Sequence, residues 1–127
     1  MANLTVLRRQ MEAQRFERQI SEERTAAAER VDIRGLENDL RRSVRGEVRF
    51  DKGTRALYAT DGSNYRQVPI GVVIPRDVED VIAAVNVVRQ YGAPLLSRGG
   101  GTSLAGQCCN VAVVFDYSKY MHHVIAI

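Results

Sequence analysis

Gly71-Val72-Val73-Ile74-Pro75-Arg76-Asp77-Val78-Glu79-Asp80-Val81 reads as a strand running directly into a helix. Two valines and an isoleucine with no polar residue between them mark a strand buried on both faces. Pro75 closes it. Asp77 stands where a side chain can accept the free N–H groups of a first helical turn, worth about 1 kcal/mol, and Glu79 and Asp80 complement the positive end of the dipole. Val78, Val81, Ile82, Val85 and Val88 recur at helical spacing, which predicts one apolar face for a helix that Gly92 stops and Pro94 forbids to resume. Pro94 to Leu96 is the next strand. Strand, helix and strand make a βαβ unit, which predicts a parallel strand pair joined by a right-handed crossover.

The second strand opens into Ser97-Arg98-Gly99-Gly100-Gly101-Thr102-Ser103-Leu104-Ala105-Gly106-Gln107. Ligands of open α/β sheets collect beyond the carboxyl ends of the strands, and this loop stands there. Glycine takes φ > 0 without strain and lets a ligand approach the backbone, so three in a row can turn successive N–H groups toward one anion. Thr102 and Ser103 add hydroxyl donors, and Arg98 adds a charged fork suited to phosphate oxygens. Two familiar phosphate motifs are excluded. A G-x-G-x-x-G fingerprint from Gly99 fails at Leu104, and a P-loop from Gly101 to Gly106 has Gln107-Cys108 where Lys-Ser/Thr belongs, so ATP or GTP hydrolysis is disfavoured. A plain flexible turn is the bland alternative, but a turn needs neither the arginine nor the paired hydroxyls.

Outward from this unit, Val111 to Phe115 is another buried strand ending at Asp116. Tyr117 to Met121 is a turn, and Val124 to Ile127 begins an apolar strand. Upstream, Glu47 to Phe50 alternates charged and apolar residues as a half-buried strand does. Asp51 to Tyr58 is a turn followed by a helical turn, and Asp61 to Gln67 is a polar loop. Asp32 to Val44 is a helix with Leu36, Leu40 and Val44 on one face, ended by Gly46. Met1 to about Val31 is rich in Arg, Glu, Gln and Ala, and reads as a solvated helix whose apolar residues do not join into one sustained face.

The 127 residues carry a net charge of +3 with 45% apolar and 26% charged residues, the composition of a globular domain. Arginines are interleaved with acids, and no nucleic-acid-binding signature is present. No apolar run approaches the ~20 residues of a membrane helix, and no secretory signal is apparent, so a cytoplasmic location is expected. Cys108 and Cys109 are adjacent, too close for an ordinary disulfide, and read as small apolar side chains. His122 and His123 have no third ligand nearby, so no metal site is expected.

The run Val73 to Val81, then Pro94 to Leu96, then R-G-G-G-T-S-L-A-G-Q, then Val113-Val114-Phe115-Asp116-Tyr117-Ser118 resembles the FAD-binding segment of the vanillyl-alcohol oxidase / p-cresol methylhydroxylase (PCMH-type) flavoproteins. Tyr58 to Pro69 is similar to the glycolate oxidase and D-lactate dehydrogenase branch, especially its long members with a C-terminal iron–sulfur domain. The resemblance covers about Leu36 to Ile127. It implies an α+β or α/β fold, the first subdomain of a PCMH-type FAD-binding domain, with a small parallel βαβ sheet flanked by helices. Residues 1–31 form a charged helical extension and 32–127 the partial domain.

The resemblance further implies that Arg98, Gly99, Gly100, Gly101, Thr102, Ser103, Gly106 and Gln107 hold the FAD pyrophosphate. Covalently flavinylated relatives have histidine in the place of Thr102, so non-covalent FAD is implied. The second FAD subdomain, the cap domain and the iron–sulfur cysteines of such enzymes are not in these residues. The chain therefore looks like a truncated part, and no catalytic residue or metal ligand is assigned. The activity implied is oxidation of the CH–OH group of 2-hydroxy acids, with the rest of the flavoenzyme as partner. The alternative is a non-catalytic module whose N-terminal helix recruits a protein.

Overall fold

The computed structural model describes residues 4–127, so Met1 to Asn3 of the expected N-terminal helix lie outside the described residues. In chain order the elements are α1 (Leu4–Glu29), α2 (Ile33–Ser43), β1 (Glu47–Arg49), α3 (Lys52–Leu57), β2 (Gly71–Ile74), α4 (Val78–Gln90), β3 (Leu95–Arg98) and β4 (Val113–Asp116). Local chemistry accounts for most boundaries. Asp32, Asp51 and Asp77 each accept a backbone N–H of the helix that follows, from Gly35, Thr54 and Asp80 respectively. Gly92, at φ 62°, ends α4, and the Ala93 N–H returns to the Val88 carbonyl at 3.1 Å, as a glycine C-cap does.

The four strands form one sheet in the order β1-β2-β4-β3. β1 is antiparallel to β2, with Glu47 opposite Ile74. The β2–β4 and β4–β3 pairs are parallel, with Val73, Phe115 and Ser97 in one row. The expected βαβ pair is therefore corrected: β2 and β3 point the same way, but β4 lies between them. The burial of each strand explains the order. All four residues of β4 are buried and need a neighbour on each side. In β3, exposed and half-buried residues alternate, which suits an edge.

One face of the sheet carries Val73, Val113 and Phe115 against Leu36, Leu40, Ala84, Val87 and Val88 from α2 and α4. The opposite face carries Val72, Ile74 and Val114 under Tyr58, Leu96 and Tyr120. The inward face of α4 is not the one expected. Val78, Ile82 and Val85 are exposed, whereas Asp80, Ala84, Val87 and Val88 are buried. Apolar residues lie all round this helix, and Asp80 decides its rotation. It is 2% exposed and accepts the N–H groups of Arg45 (2.9 Å), Gly46 (2.9 Å) and Arg76 (3.0 Å). Burial pushes its carboxyl up, but those three donors and the Arg45 guanidinium outweigh burial and hold it below the usual carboxylate range.

Three smaller expectations are also corrected. α2 ends at Ser43, before Gly46, because Val44 already takes an extended conformation that lets its apolar side chain join the core. The helical turn expected through Ala56 to Tyr58 begins earlier, because Asp51 caps a six-residue helix at Lys52–Leu57 where a turn was expected. Val124 to Ile127 is not a strand, and Val124, Ile125 and Ile127 are exposed; no strand of the sheet lies beside them to supply ladder partners.

Candidate functional site

β2, β4 and β3 are parallel, so Ile74, Asp116 and Arg98 all finish at one edge of the sheet. The chain leaves β3 there and takes residues 99–112 to reach the start of β4. This connection is tied to the segment that follows α3. The Gly62 N–H donates to the Gly101 carbonyl at 2.9 Å, and a side chain at Gly62 would meet the Ser103 carbonyl at 3.0 Å. Asp61 Oδ1 accepts the Ser63 N–H (2.9 Å) and hydroxyl (2.5 Å), while Oδ2 accepts the Cys108 N–H (3.2 Å). The Ser63 hydroxyl first, then the Ser63 and Cys108 N–H groups, hold the Asp61 carboxyl below its ordinary range. Gly106, at φ 77°, lies on the Tyr65 ring, which a Cβ would strike at 2.7 Å.

Arg98 belongs to this brace. Its guanidinium donates to three carbonyls, of Tyr58 (3.3 Å), Cys108 (3.1 Å) and Thr60 (2.9 Å), and lies 5.1 Å from the Tyr58 ring centroid. Tyr58 is fixed in turn, donating its hydroxyl to Asp116 at 2.5 Å. Burial and then that bond push the phenol up to about 12. Gly101, at φ 68°, lies so close over the guanidinium that a Cβ would sit 2.5 Å from one nitrogen. The fork expected to face phosphate thus holds two backbone segments together.

Ser103 and Gln107 are also engaged within the loop. Ser103 Oγ bonds the Gln107 Oε1 and accepts the Gln107 N–H (3.2 Å) and Ala105 N–H (3.4 Å). The remaining stretch is open. The N–H groups of Gly99, Gly100, Gly101, Thr102, Ser103 and Leu104 donate to no acceptor among the described residues, and the Thr102 hydroxyl has no partner there. A Cβ at Gly99 would meet nothing within 4 Å, and one at Gly100 only Thr102 Cγ2 at 3.6 Å. Six consecutive donors on a braced glycine loop, approachable from outside, are the chemistry of an anion nest.

Of the eight residues expected to form the site, Gly99, Gly100, Gly101, Thr102 and Ser103 lie in the open run. Arg98, Gly106, Gln107 and the Ser103 hydroxyl shape it. Sequence reasoning missed Asp61, Tyr58 and Tyr65 as its supports. The turn-prone Asp61-Gly62-Ser63 was the one available signal, since aspartate readily bonds the N–H two residues on. Behind the loop, a groove of about 550 Å³ separates it from α1, with Glu17 and Arg18 on one wall and Tyr65 and Gly106 on the other. Cys109 is buried beside it, and burial above all pushes its thiol up. Among the described residues no cluster suited to a metal ion occurs, and no helix is long and apolar enough to cross a membrane.

Residues 69–127 match the family described as FAD binding domain. Over 86 residues the chain is 35% identical to D-2-hydroxyglutarate dehydrogenase of Pseudomonas putida, covering 65% of this chain and 8% of that protein. It is 30% identical over 94 residues to the mitochondrial cytochrome D-lactate dehydrogenase of Kluyveromyces lactis, covering 71% and 16%. Glycolate oxidase subunit GlcD of Escherichia coli is 42% identical over 50 residues, covering 39% and 10%. Among solved structures, p-cresol methylhydroxylase with substrate bound superposes with a TM-score of 0.56 at 16% identity, covering 72% of this chain and 19% of that one. Wild-type BBE-like 1 of Physcomitrella patens gives 0.52 at 25%, covering 64% and 18%. Residues 69–127 thus match an FAD binding domain, and the chain is similar in sequence to FAD-linked 2-hydroxy-acid dehydrogenases and in fold to PCMH-type flavoenzymes. The chain spans 8% of the length of its D-2-hydroxyglutarate dehydrogenase relatives.

Proposed function

We propose that the loop from Gly99 to Leu104 holds the diphosphate of non-covalent FAD, as the anchoring part of an oxidoreductase acting on the CH–OH group of 2-hydroxy acids. The observation that carries this reading is the run of six N–H groups without an acceptor among the described residues, on a loop braced by Arg98 and Asp61. Backbone donors fixed in advance lose little entropy when an anion arrives. Gly99 and Gly100 let phosphate oxygens reach the backbone, and the Thr102 hydroxyl adds a side-chain donor. Arg98, Asp61, Ser103 and Gln107 hold the loop in shape. Threonine at 102 has no ring nitrogen to bond the flavin, hence the non-covalent attachment.

When bound, the flavin supplies the hydride acceptor. This chain's residues bind and orient the other end of the molecule. The 2-hydroxy-acid substrate class rests on the relatives' activities, and residues 32–127 are the unit proposed to serve it. Titration of the chain with FAD, ADP and FMN, read by flavin fluorescence and calorimetry, tests the site. Binding of FAD and ADP with little binding of FMN is expected. A folded chain that retains FMN as well as FAD, or that binds neither FAD nor ADP, overturns it.

A further inference from the structure

An anion nest built from neutral N–H groups is strengthened by a cation, and Arg98 already spends its guanidinium on three carbonyls. Most other cations along the carboxyl edge are spent too. Lys119 pairs with Glu47, and Arg45 pairs with Asp77 and Asp80. Arg76 is different. It follows β2, it is exposed, and its guanidinium has no carboxylate or carbonyl partner among the described residues. It is nevertheless held in place. Its guanidinium carbon lies 5.7 Å from the Tyr120 ring centroid, within cation–π range. That ring is anchored by its hydroxyl on Glu47 at 2.8 Å, and the Arg76 backbone N–H is fixed by Asp80.

The register sets where this cation stands. Ile74, Asp116 and Arg98 end their strands in one row, and two residues further on come Arg76, Ser118 and Gly100. β2 and β3 are two strand spacings apart, about 10 Å. A side chain from Arg76 and a ligand seated on Gly100 can meet across that interval. Tyr120 and Tyr58 both cover the same face of the sheet, so Arg76 and Arg98 stack on the same side of it.

Building on the diphosphate reading above, we propose that Arg76, rather than Arg98, is the cation that faces the ligand's phosphates, oriented for that task by Tyr120. Calorimetric titration of the full chain with ADP and with adenosine, at low and moderate ionic strength, tests it with Arg76→Ala, Arg76→Lys and Arg66→Ala. Arg66 also lacks a side-chain partner among the described residues but has no ring beneath it, so its removal deletes the same charge from an unpositioned site. Arg76→Ala is expected to weaken ADP binding about tenfold, the loss of one charged hydrogen bond. Arg76→Lys should recover part of the affinity, and Arg66→Ala should change it less than twofold. Adenosine binding should be the same in all four proteins. Equal ADP affinity in Arg76→Ala and wild type overturns this inference and leaves the loop reading intact, as does an equal loss in Arg66→Ala. A wild-type chain that binds no ADP overturns both.

Discussion

Two turns leave the carboxyl ends of parallel strands in this sheet, and they treat their backbone donors in opposite ways. After β2, Asp80 reaches back from the first turn of α4 and accepts N–H groups from Arg76, Arg45 and Gly46. After β3, six N–H groups from Gly99 to Leu104 have no acceptor among the described residues. The first turn carries its own anion, buried and bonded. The second is equally well braced, by Arg98 and Asp61, but its donors meet no acceptor among the described residues. Rigidity alone therefore does not mark the binding end of the sheet. What marks it is rigidity combined with donors left unpaired.

The comparison breaks most severely at Asp80. Asp80→Ala leaves three part-buried N–H groups without their acceptor and the Arg45 guanidinium without one of its partners, so a loss of about 2–4 kcal/mol is expected in urea unfolding. A loss below about 1 kcal/mol would mean that Asp80 does not hold the turn. Acid should act on the same group. Its folded-state carboxyl lies below the ordinary value, so its contribution is complete above about pH 4 and disappears as pH falls through the folded value. Glu47, held down to about 2 by Lys119, Arg49 and Tyr120, loses its contribution in the same direction. Urea midpoints should therefore fall steadily from pH 5 to pH 2, and a flat profile would count against both carboxylates.

Arg98→Lys comes next. A single ammonium cannot reach the carbonyls of Tyr58, Thr60 and Cys108 together, nor stack flat on Tyr58, so about 1.5–3 kcal/mol should be lost. Proteolysis within residues 99–107 should quicken, and FAD affinity should fall as the loop loosens. If Arg98 acted only on phosphate, stability would be unchanged. Gly100→Ala gives the smallest effect on folding. Its Cβ meets only Thr102 Cγ2 at 3.6 Å, so stability should change by no more than about 0.5 kcal/mol. Flavin retention should nevertheless drop, because the methyl group stands where a phosphate oxygen would approach. Unchanged flavin binding in this variant would move the site off the loop.

Much of this was legible along the chain. The aspartate cap at Asp77, the stop at Gly92, the buried runs of β2 and β4 and the glycine loop all depend on residues within a few positions of one another. Such features are local, and residue type with spacing is enough to read them. The family resemblance added the ligand class, because it rests on an ordered series of such local motifs.

What the sequence could not settle was every choice between distant partners. Apolar residues surround α4, and only Asp80's bonds to donors 34 and 35 positions away turn Ala84, Val87 and Val88 inward. β4 enters between β2 and β3 because it is buried on both faces and needs two neighbours, a requirement no local spacing expresses. Arg98 reads as a phosphate ligand beside three glycines, yet its partners at Tyr58 and Thr60 lie about 40 positions back. A side chain's type and neighbours along the chain set what it can bond; only the folded chain decides which of those partners comes within reach.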